Sequence, residues 1–278
     1  MSGPTILLTN DDGIDRPGFR AMYEALSAVG EVTAVAPAVD QSAIGRAISV
    51  ETDISVEDHP LGYAVEGTPA DCVVAGLEAL VPDADIVVAG CNKGANLGAY
   101  VLGRSGTVSA AVEAAFFGVP AIAASTYVET SDVDFEAYET TAAQHAHAVR
   151  TTACLVDRAP EAGVFETADY LNVNAPPADR DTDVELGEFG GSPPDLPVRV
   201  TRPSLVYDMD ATPTDAGVRL HDRVWKHMAT GDVTDPDGTD RRAVVDGCVS
   251  VSPLTAPHTT ERHDALDDLV RGIDRSAD

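Results

Sequence analysis

The alternation of short apolar runs with helical stretches constrains the fold of this chain more than any other feature. The first run, at 5–9, stops at Asn10, and Pro17 then begins a predicted helix that ends near Ser27 and leads into a second run at 32–36. Apolar runs joined by helices are typical of parallel strands buried between two helical layers. We therefore predict a Rossmann-like α/β fold, with a doubly wound, mostly parallel sheet in three layers, α/β/α.

The same pattern continues to residue 176, and the chain then changes character. The further predicted elements are a helix at 70–80, strands at 86–89, 121–124 and 170–174, and helices at 107–117 and 135–156. We predict a Rossmann-like core at 1–176 and an extended hairpin and oligomerisation arm at 177–247, which is rich in Asp, Pro, Thr and Gly. A return strand and a C-terminal helix, at 265–273, are predicted within 248–278.

The charge of the chain excludes some classes of partner. It carries 46 acidic residues against 18 basic ones, a net charge of −28, and the acidic residues are spread through the whole sequence. Such a surface repels duplex nucleic acid and anionic membranes, so we expect neither as a partner. Because dissolved salt screens repulsion among acidic side chains, we hypothesise a halophilic source with a high-salt cytoplasm.

Salt should therefore stabilise the folded protein. We expect the melting temperature to rise between low and molar KCl, measured at fixed pH and protein concentration, because screening relieves the repulsion among the acidic side chains. A melting temperature that did not rise would count against a halophilic adaptation.

Cysteines and apolar segments indicate the compartment. The four cysteines lie far apart without CxxC spacing, which predicts buried free thiols rather than a zinc knuckle or a disulfide framework. No charged segment precedes an apolar run at the N-terminus, and no run approaches the roughly 20 apolar residues that span a bilayer. We expect a soluble, cytoplasmic protein.

The histidines and the tryptophan give weaker signals. His145 and His147 are two residues apart in a predicted helix and do not share a face, so a surface role is favoured over metal binding. Trp225 lies in the predicted arm, where packing is its expected role. The sequence contains no legible Ser-His-Asp set.

Polar residues follow the predicted strands directly. Asp11 and Asp12 come after the first strand, Ser42 lies in the loop after the second, and Asn92 and Asn96 follow the strand at 86–89. The carboxyl ends of parallel strands face one edge of the sheet, where ligands bind. Adjacent carboxylates repel each other unless a cation neutralises them, and oxygen ligands suit Mg²⁺, Mn²⁺ or Ca²⁺ rather than zinc. The pattern predicts a metal site, although an Asp-Asp-Gly sequence alone also forms turns and helix caps.

A second candidate site lies at the start of the helix predicted at 107–117. Gly103 precedes Arg104, Ser105, Gly106 and Thr107. A helix N-terminus preceded by glycine offers free N–H groups and the positive end of the helix dipole, which together bind phosphate. The alternative is that a hydroxyl side chain merely caps the helix. The chain has neither a GxxxxGK[ST] P-loop nor a GxGxxG turn.

Nine sequence blocks in order resemble the SurE (survival protein E) family of nucleotidases. They are Leu-Leu-Thr-Asn-Asp-Asp-Gly at 7–13, Val-Ala-Pro at 35–37, Gly-Thr-Pro-Ala-Asp-Cys at 67–72, Asp-Ile-Val-Val-Ala-Gly at 85–90, Ser-Gly-Thr-Val at 105–108, Gly-Val-Pro-Ala-Ile-Ala at 118–123, Leu-Asn-Val-Asn at 171–174, Gly-Thr-Asp at 238–240 and Val-Ser-Val-Ser-Pro-Leu at 249–254. The blocks extend over most of the chain, which makes the resemblance specific.

The resemblance implies a metal-dependent 5′/3′-nucleotidase whose catalytic site lies in the core. Asp11, Asp12, Ser42 and Asn92 match the family's metal ligands, which implies one divalent ion per subunit, Mg²⁺ or Mn²⁺. A nucleoside monophosphate is the implied substrate. Family members are dimers or tetramers built through C-terminal arms, so we expect a homodimer or homotetramer.

The phosphate side of the pocket is matched by Asn96 and by the turn from Ser105 through Gly106 to Thr107. Where the family commonly has Gly-Ile-Asn and then Gly-Asp-Asp, this chain has Gly-Cys-Asn at 90–92 and Gly-Ala-Tyr at 98–100, which leaves the substrate preference open. Lys93 and Arg104 are cations beside this pocket, and they either touch the substrate or pair with surface acids.

Two mechanisms and two other functional classes stay open. In the first mechanism, water attacks in line and Asp11 or Asp12 accepts its proton, while the phosphate oxygens are stabilised by Asn96, Ser105 and the amides that follow. In the second, Asp11 forms a covalent aspartyl-phosphate. The other classes are a non-hydrolytic nucleotide-binding module and a scaffold with a vestigial site. Adjacent carboxylates argue against the binding module because they would repel a bare phosphate.

Overall fold

The computed structural model describes residues 3–129, 135, 137–180, 194–256, 258 and 264–265. Its strands are β1 Thr5–Thr9, β2 Glu31–Pro37, β3 Val56–His59, β4 Gly62–Val65, β5 Ile86–Lys93, β6 Ala121–Thr126, β7 Tyr170–Ala175, β8 Val198–Val200, β9 Met209–Thr214, β10 Gly217–Asp222 and β11 Val249–Leu254. Its α-helices are α1 Pro17–Ser27, α2 Pro69–Ala75, α3 Ala99–Leu102, α4 Gly106–Phe116, α5 Ala146–Arg158, α6 Val224–Thr230 and α7 Asp240–Val245.

A single large sheet has the strand order β3-β4-β2-β1-β5-β6-β7-β11-β8. Six neighbouring strands pair in parallel, in the spatial order β4-β2-β1-β5-β6-β7. At the two ends of this parallel part, β11 is antiparallel to β7 and β3 is antiparallel to β4. The prediction of a doubly wound, mostly parallel α/β sheet is confirmed. The β3–β4 hairpin at one edge was not predicted, because its strands are short and β3 is largely charged.

Helices cover both faces of the sheet because the side chains of each buried strand alternate between the faces. In β1, Leu8 packs in one apolar cluster with Phe19 of α1 and Val149 of α5. Its neighbour Leu7 packs in the opposite cluster, with Val73 of α2. The cluster that contains Leu7 also includes apolar side chains of α4, so the three layers match the predicted α/β/α architecture.

The topology places a crevice at the carboxyl ends of β1 and β5. These strands are neighbours, but the chain leaves β1 through α1 on one face of the sheet and leaves β5 through α4 on the other. Ligands of open α/β sheets bind at such a switch point. Gly90 permits the bend of β5 here: its φ is +137°, and a Cβ atom would lie 2.3 Å from the Ala124 carbonyl oxygen.

Two predicted helices need correction. The predicted helix at 70–80 begins at Pro69, where Thr68 and Asp71 form a capping box, and it continues from Gly76 to Leu80 as a π-helix. The predicted helix at 135–156 was wrong at its start. In the described residues a 3₁₀ turn at Ala142–His145 precedes α5, and the Thr141 amide at its start donates to Gln144 Oε1 at 3.0 Å.

The segment after residue 176 contains both sheet and helix. Strand β8 joins the main sheet beside β11, and β9 and β10 form a separate two-stranded hairpin. Helices α6 and α7 follow the hairpin. The helix predicted at 265–273 lies outside the described residues except for its first residue.

The cysteines agree in part with the prediction of buried free thiols. Cys72, Cys91 and Cys248 are free and buried, whereas Cys154 is only partly buried. Within the described ranges, no helix has the length and apolar character needed to cross a membrane.

Candidate active site

A cavity of about 390 Å³ lies at the carboxyl ends of β1 and β5. It is lined by five of the predicted site residues, Asp11, Ser42, Asn92, Asn96 and Ser105. The other three predicted residues are Asp12, Gly106 and Thr107, and each of them touches a residue that lines the cavity. Five predicted side chains that are far apart in the sequence thus surround one cavity, whereas Asp12 lines a separate, smaller cavity with Arg16 and His145.

Asp11 is buried against the first turn of α4. The Thr107 hydroxyl donates a hydrogen bond to Asp11 Oδ1 at 2.5 Å. Gly106 allows this approach, because a Cβ atom there would lie 2.7 Å from Asp11 Cβ. Thr107 is fully buried, so its hydroxyl holds a carboxylate where the sequence had predicted a phosphate contact. The positive end of the helix therefore stabilises Asp11.

Asp12 is buried beside β5. Its Oδ2 accepts a hydrogen bond from the Lys93 amide at 2.8 Å. Burial raises the pKa of Asp12, and the adjacent Asp11 raises it further. Burial likewise raises the pKa of Asp11, although the bonds from Thr107 oppose the increase. Within the part of the chain that the structure describes, neither carboxylate forms an ion pair with a lysine, arginine or histidine.

Ser42 and Asn92 line the cavity together with Asp11, and both carry neutral side-chain oxygens. The Gln41 amide donates to the Asp11 carbonyl at 2.7 Å, which ties the Ser42 loop to β1. The Asn92 side-chain nitrogen donates to the Gly94 carbonyl at 2.6 Å, so its amide oxygen points away from that bond. The described residues include no group of three His, Cys, Asp or Glu side chains suited to a metal, so a cation here would depend on these neutral oxygens. Such an all-oxygen set suits Mg²⁺ or Mn²⁺.

Asn96 also lines the cavity and is held in place by several hydrogen bonds. Its amide N–H donates to Asn174 Oδ1 at 2.7 Å, and its carbonyl accepts from Asn172 Nδ2 at 2.9 Å. Its side-chain nitrogen donates to Ser125 Oγ at 2.9 Å. Ser105 caps α4 by accepting from the Val108 amide, which leaves its hydroxyl hydrogen available to a ligand.

The loop that follows Asn96 is fixed by α7, which the sequence analysis did not predict. Asp240 is fully buried and accepts from the amides of Gly98 and Ser204 at 2.7 and 2.9 Å. The adjacent Arg241 forms an ion pair with Asp235 at 2.9 Å, with both side chains 2% exposed. The Gly-Thr-Asp block at 238–240 was the available signal, but it does not reveal what Asp240 contacts.

The two cations beside the cavity do not pair with acids in the described residues. Lys93 Nζ donates to the Phe135 carbonyl at 3.0 Å. The Arg104 guanidinium stacks 3.9 Å from the centroid of the Tyr100 ring. Lys93 and Arg104 both line the cavity. The alternative in which they pair with surface acids is not seen among the described residues.

One other expectation from the sequence was wrong. His145 is 1% exposed rather than on the surface, and its ring nitrogens contact the hydroxyls of Thr126 and Thr140 at 2.9 Å. Burial lowers the pKa of His145 to about 4, so the ring is neutral at pH 7. Trp225 packs against an apolar cluster, as expected, and it also lines the cavity. Both positions depend on tertiary contacts that sequence spacing does not reveal.

The hydrogen bond from Thr107 to Asp11 predicts a measurable effect on catalysis. Thr107→Val keeps the shape of the side chain but removes the donor. For the phosphate ester hydrolysis that the family resemblance implies, we expect kcat to fall about 10- to 100-fold, because a hydrogen bond to a charged group contributes roughly 1.5 to 3 kcal/mol. Thr107→Ser retains the hydroxyl and should stay close to wild type. Equal activities of the two variants would show that the bond does not position Asp11.

Comparisons with known proteins give consistent similarities. The family model "Survival protein SurE" matches residues 6–191. The chain is 63% identical to "5′-nucleotidase SurE" of Haloarcula marismortui over 96% of this chain and 94% of the relative. It is 61% identical to the protein of the same name from Halobacterium salinarum, over 96% of each chain. The crystal structure of SurE protein from Aquifex aeolicus has a TM-score of 0.70 at 28% identity, covering 99% of this chain and all of that one.

Proposed function

The chain belongs to the SurE family and is a nucleotidase, a phosphoric monoester hydrolase, and on that premise we propose the reaction that it catalyses. The enzyme hydrolyses nucleoside 5′-monophosphates to nucleoside and phosphate, and it requires one divalent cation per subunit, Mg²⁺ or Mn²⁺. Activity on nucleoside 3′-monophosphates is a separate part of the proposal. The high identity to relatives from halophilic archaea agrees with the strongly acidic composition.

The observation that carries the metal requirement is the pair of buried carboxylates, Asp11 and Asp12. Both are about 95% buried, and among the described residues no cationic side chain pairs with them. Buried charges in proteins are normally paired or coordinate metals. Beside a phosphate subsite, two adjacent carboxylates without an ion-pair partner would repel the substrate, so a bound cation resolves both difficulties.

We propose that Asp11, Asp12, Ser42 and Asn92 hold this cation. A divalent cation supplies positive charge that withdraws electrons from a phosphate ester. The chain contributes the rest. Thr107 fixes the Asp11 carboxylate, and Asp11 or Asp12 accepts a proton from the attacking water.

The phosphate oxygens would be bound by other residues of the same cavity. The Asn96 side chain and the Ser105 hydroxyl are suitable donors, and the first turn of α4 adds a positive dipole end. Lys93 and Arg104 supply positive potential in a protein with a charge of −28. Their side chains line the same cavity, which supports a role in attracting an anionic substrate.

The substrate is tested with a panel of 5′- and 3′-nucleoside monophosphates in molar KCl with Mg²⁺ or Mn²⁺, by following phosphate release. Release from the 5′ series is the expected result. If no member of the panel is hydrolysed by folded protein, the non-hydrolytic binding module becomes the better account. A single turnover in ¹⁸O-water should place ¹⁸O in the released phosphate; its absence would favour the covalent route through Asp11.

We also propose a cytoplasmic homodimer or homotetramer. Exposed apolar side chains of the segment after residue 176 support the assembly, including Leu205, which is 82% exposed, and Leu220, which is 70% exposed. Surfaces of this kind commonly mark protein–protein contacts. Light scattering in molar KCl should give two or four times the chain mass of 28.9 kDa, and a monomer would contradict the proposal.

A further inference from the structure

The cavity at the candidate site is lined by two chemically different sets of residues. The polar set includes Asp11, Asn96 and Ser105, described above. The other set is apolar and aromatic: Val101, Tyr127, Val128, Phe135 and Trp225. Small-molecule sites are typically apolar clefts with a few placed polar groups. The polar set accounts for a phosphate, but it leaves the apolar and aromatic set without a role.

Trp225 is held beside the phosphate subsite by its own helix and by the loop that contains Asn96. Val224 and Met228 of α6 are buried, and they fix the helix on the protein. Trp225 packs partly against the apolar cluster that includes Ala95 and Leu97, the two neighbours of Asn96 in the chain. The ring remains half-buried and lines the cavity, so part of it is available to a ligand.

The apolar and aromatic residues suit a flat, uncharged group. The Lys93 ammonium lies 4.7 Å from the Phe135 ring centroid, so this ring already has a cation partner within the chain. Aromatic rings bind nucleobases by stacking, because every base has a π-face. Purines offer the larger stacking area.

We propose that Trp225 stacks on the nucleobase of the substrate and is a specificity-determining residue that favours purine over pyrimidine nucleotides. This inference rests on the proposed nucleotidase function and adds to it the group that recognises the base. The phosphate binds at Asn96 and Ser105, and the base lies against the Trp225 indole.

The fluorescence of the chain reports on this contact directly, because Trp225 is its only tryptophan. With excitation at 295 nm, adenosine should quench the emission in a saturable manner, and cytidine should require a higher concentration. Ribose 5-phosphate, which has no base, should leave the emission nearly unchanged. No quenching by either nucleoside, or equal quenching by ribose 5-phosphate, would overturn the proposal.

Kinetics of variants provide the second test. Trp225→Ala should raise KM for AMP about 5- to 100-fold, the range expected for loss of one base–aromatic stack. Trp225→Phe keeps an aromatic ring and should retain most of the affinity. Phe117→Ala, which removes a partly exposed ring at the far end of α4, is the matched control and should leave KM unchanged.

A phosphate ester without a base separates the possible failures. Turnover of ribose 5-phosphate should be the same in wild type and Trp225→Ala, which also shows that the variant is folded. If KM rises equally for both esters, or for neither, Trp225 does not bind the base and the proposal fails. If the wild type hydrolyses no ester yet adenosine quenches Trp225, the proposed function fails while the base site stands.

Discussion

Replacing Asp12 with asparagine should lower kcat for nucleoside monophosphates by about 10³-fold or more. The carboxylate supplies one of the two negative charges proposed to hold the cation, and cation stabilisation of the reacting phosphate is worth several kcal/mol. Asparagine can still accept the hydrogen bond that Asp12 receives from the Lys93 amide, so the fold should be retained. The measurement is phosphate release with saturating Mn²⁺.

Stability measurements separate loss of the cation site from loss of structure. Mn²⁺ should raise the melting temperature of wild type, because a ligand that binds only the folded state stabilises it. It should have little effect on Asp12→Asn. Asp15→Asn is the matched control, since Asp15 is 70% exposed and pairs with Arg20. An Asp12→Asn enzyme with wild-type, metal-dependent activity would contradict the assignment of Asp12.

Replacing Arg241 with alanine should have the largest effect on stability. Arg241 and Asp235 form a buried ion pair, and Arg241 also donates to the Val206 carbonyl at 3.0 Å. Its removal leaves the Asp235 charge buried without its partner, which typically costs about 3 to 5 kcal/mol. Denaturant unfolding in molar KCl measures this change in the free energy of unfolding.

Two further variants show whether the charge is the cause. Arg199→Ala breaks the exposed pair with Asp246 and should cost no more than about 1 kcal/mol. The double variant Arg241→Met with Asp235→Leu removes both charges and should recover much of the lost stability, because apolar replacements of a buried pair are often neutral. A double variant as unstable as Arg241→Ala would assign the loss to packing instead.

The central fold followed from local sequence signals that agreed with one another. The apolar run at 5–9, Pro17 at the start of α1 and the next run at 32–36 each indicate the same β-α-β unit. Because parallel strands place their carboxyl ends at one edge, the polar residues after β1 and β5 were expected to be neighbours. The cavity lined by Asp11 and Asn92 agrees with that reasoning.

Contacts between distant segments were less accessible to sequence reasoning. A helix that begins after a glycine can carry a simple N-cap, a phosphate site or a hydroxyl that donates to a nearby carboxylate. The last case applies here, because Thr107 donates to Asp11. His145 is buried because its ring lies beside Gly18 of α1 and contacts the hydroxyls of Thr126 and Thr140. Trp225 reaches the cavity only because α6 packs on the loop around Asn96. Each outcome depends on tertiary packing rather than on local spacing or propensity.

Phosphate release from AMP by metal-stripped protein in molar KCl, before and after addition of Mn²⁺, tests the central claim most directly. We predict no measurable release from stripped wild type, recovery on addition of Mn²⁺, and no recovery for Asp12→Asn. Release by the stripped, folded protein at the same rate as with Mn²⁺ would contradict a cation held by Asp11 and Asp12.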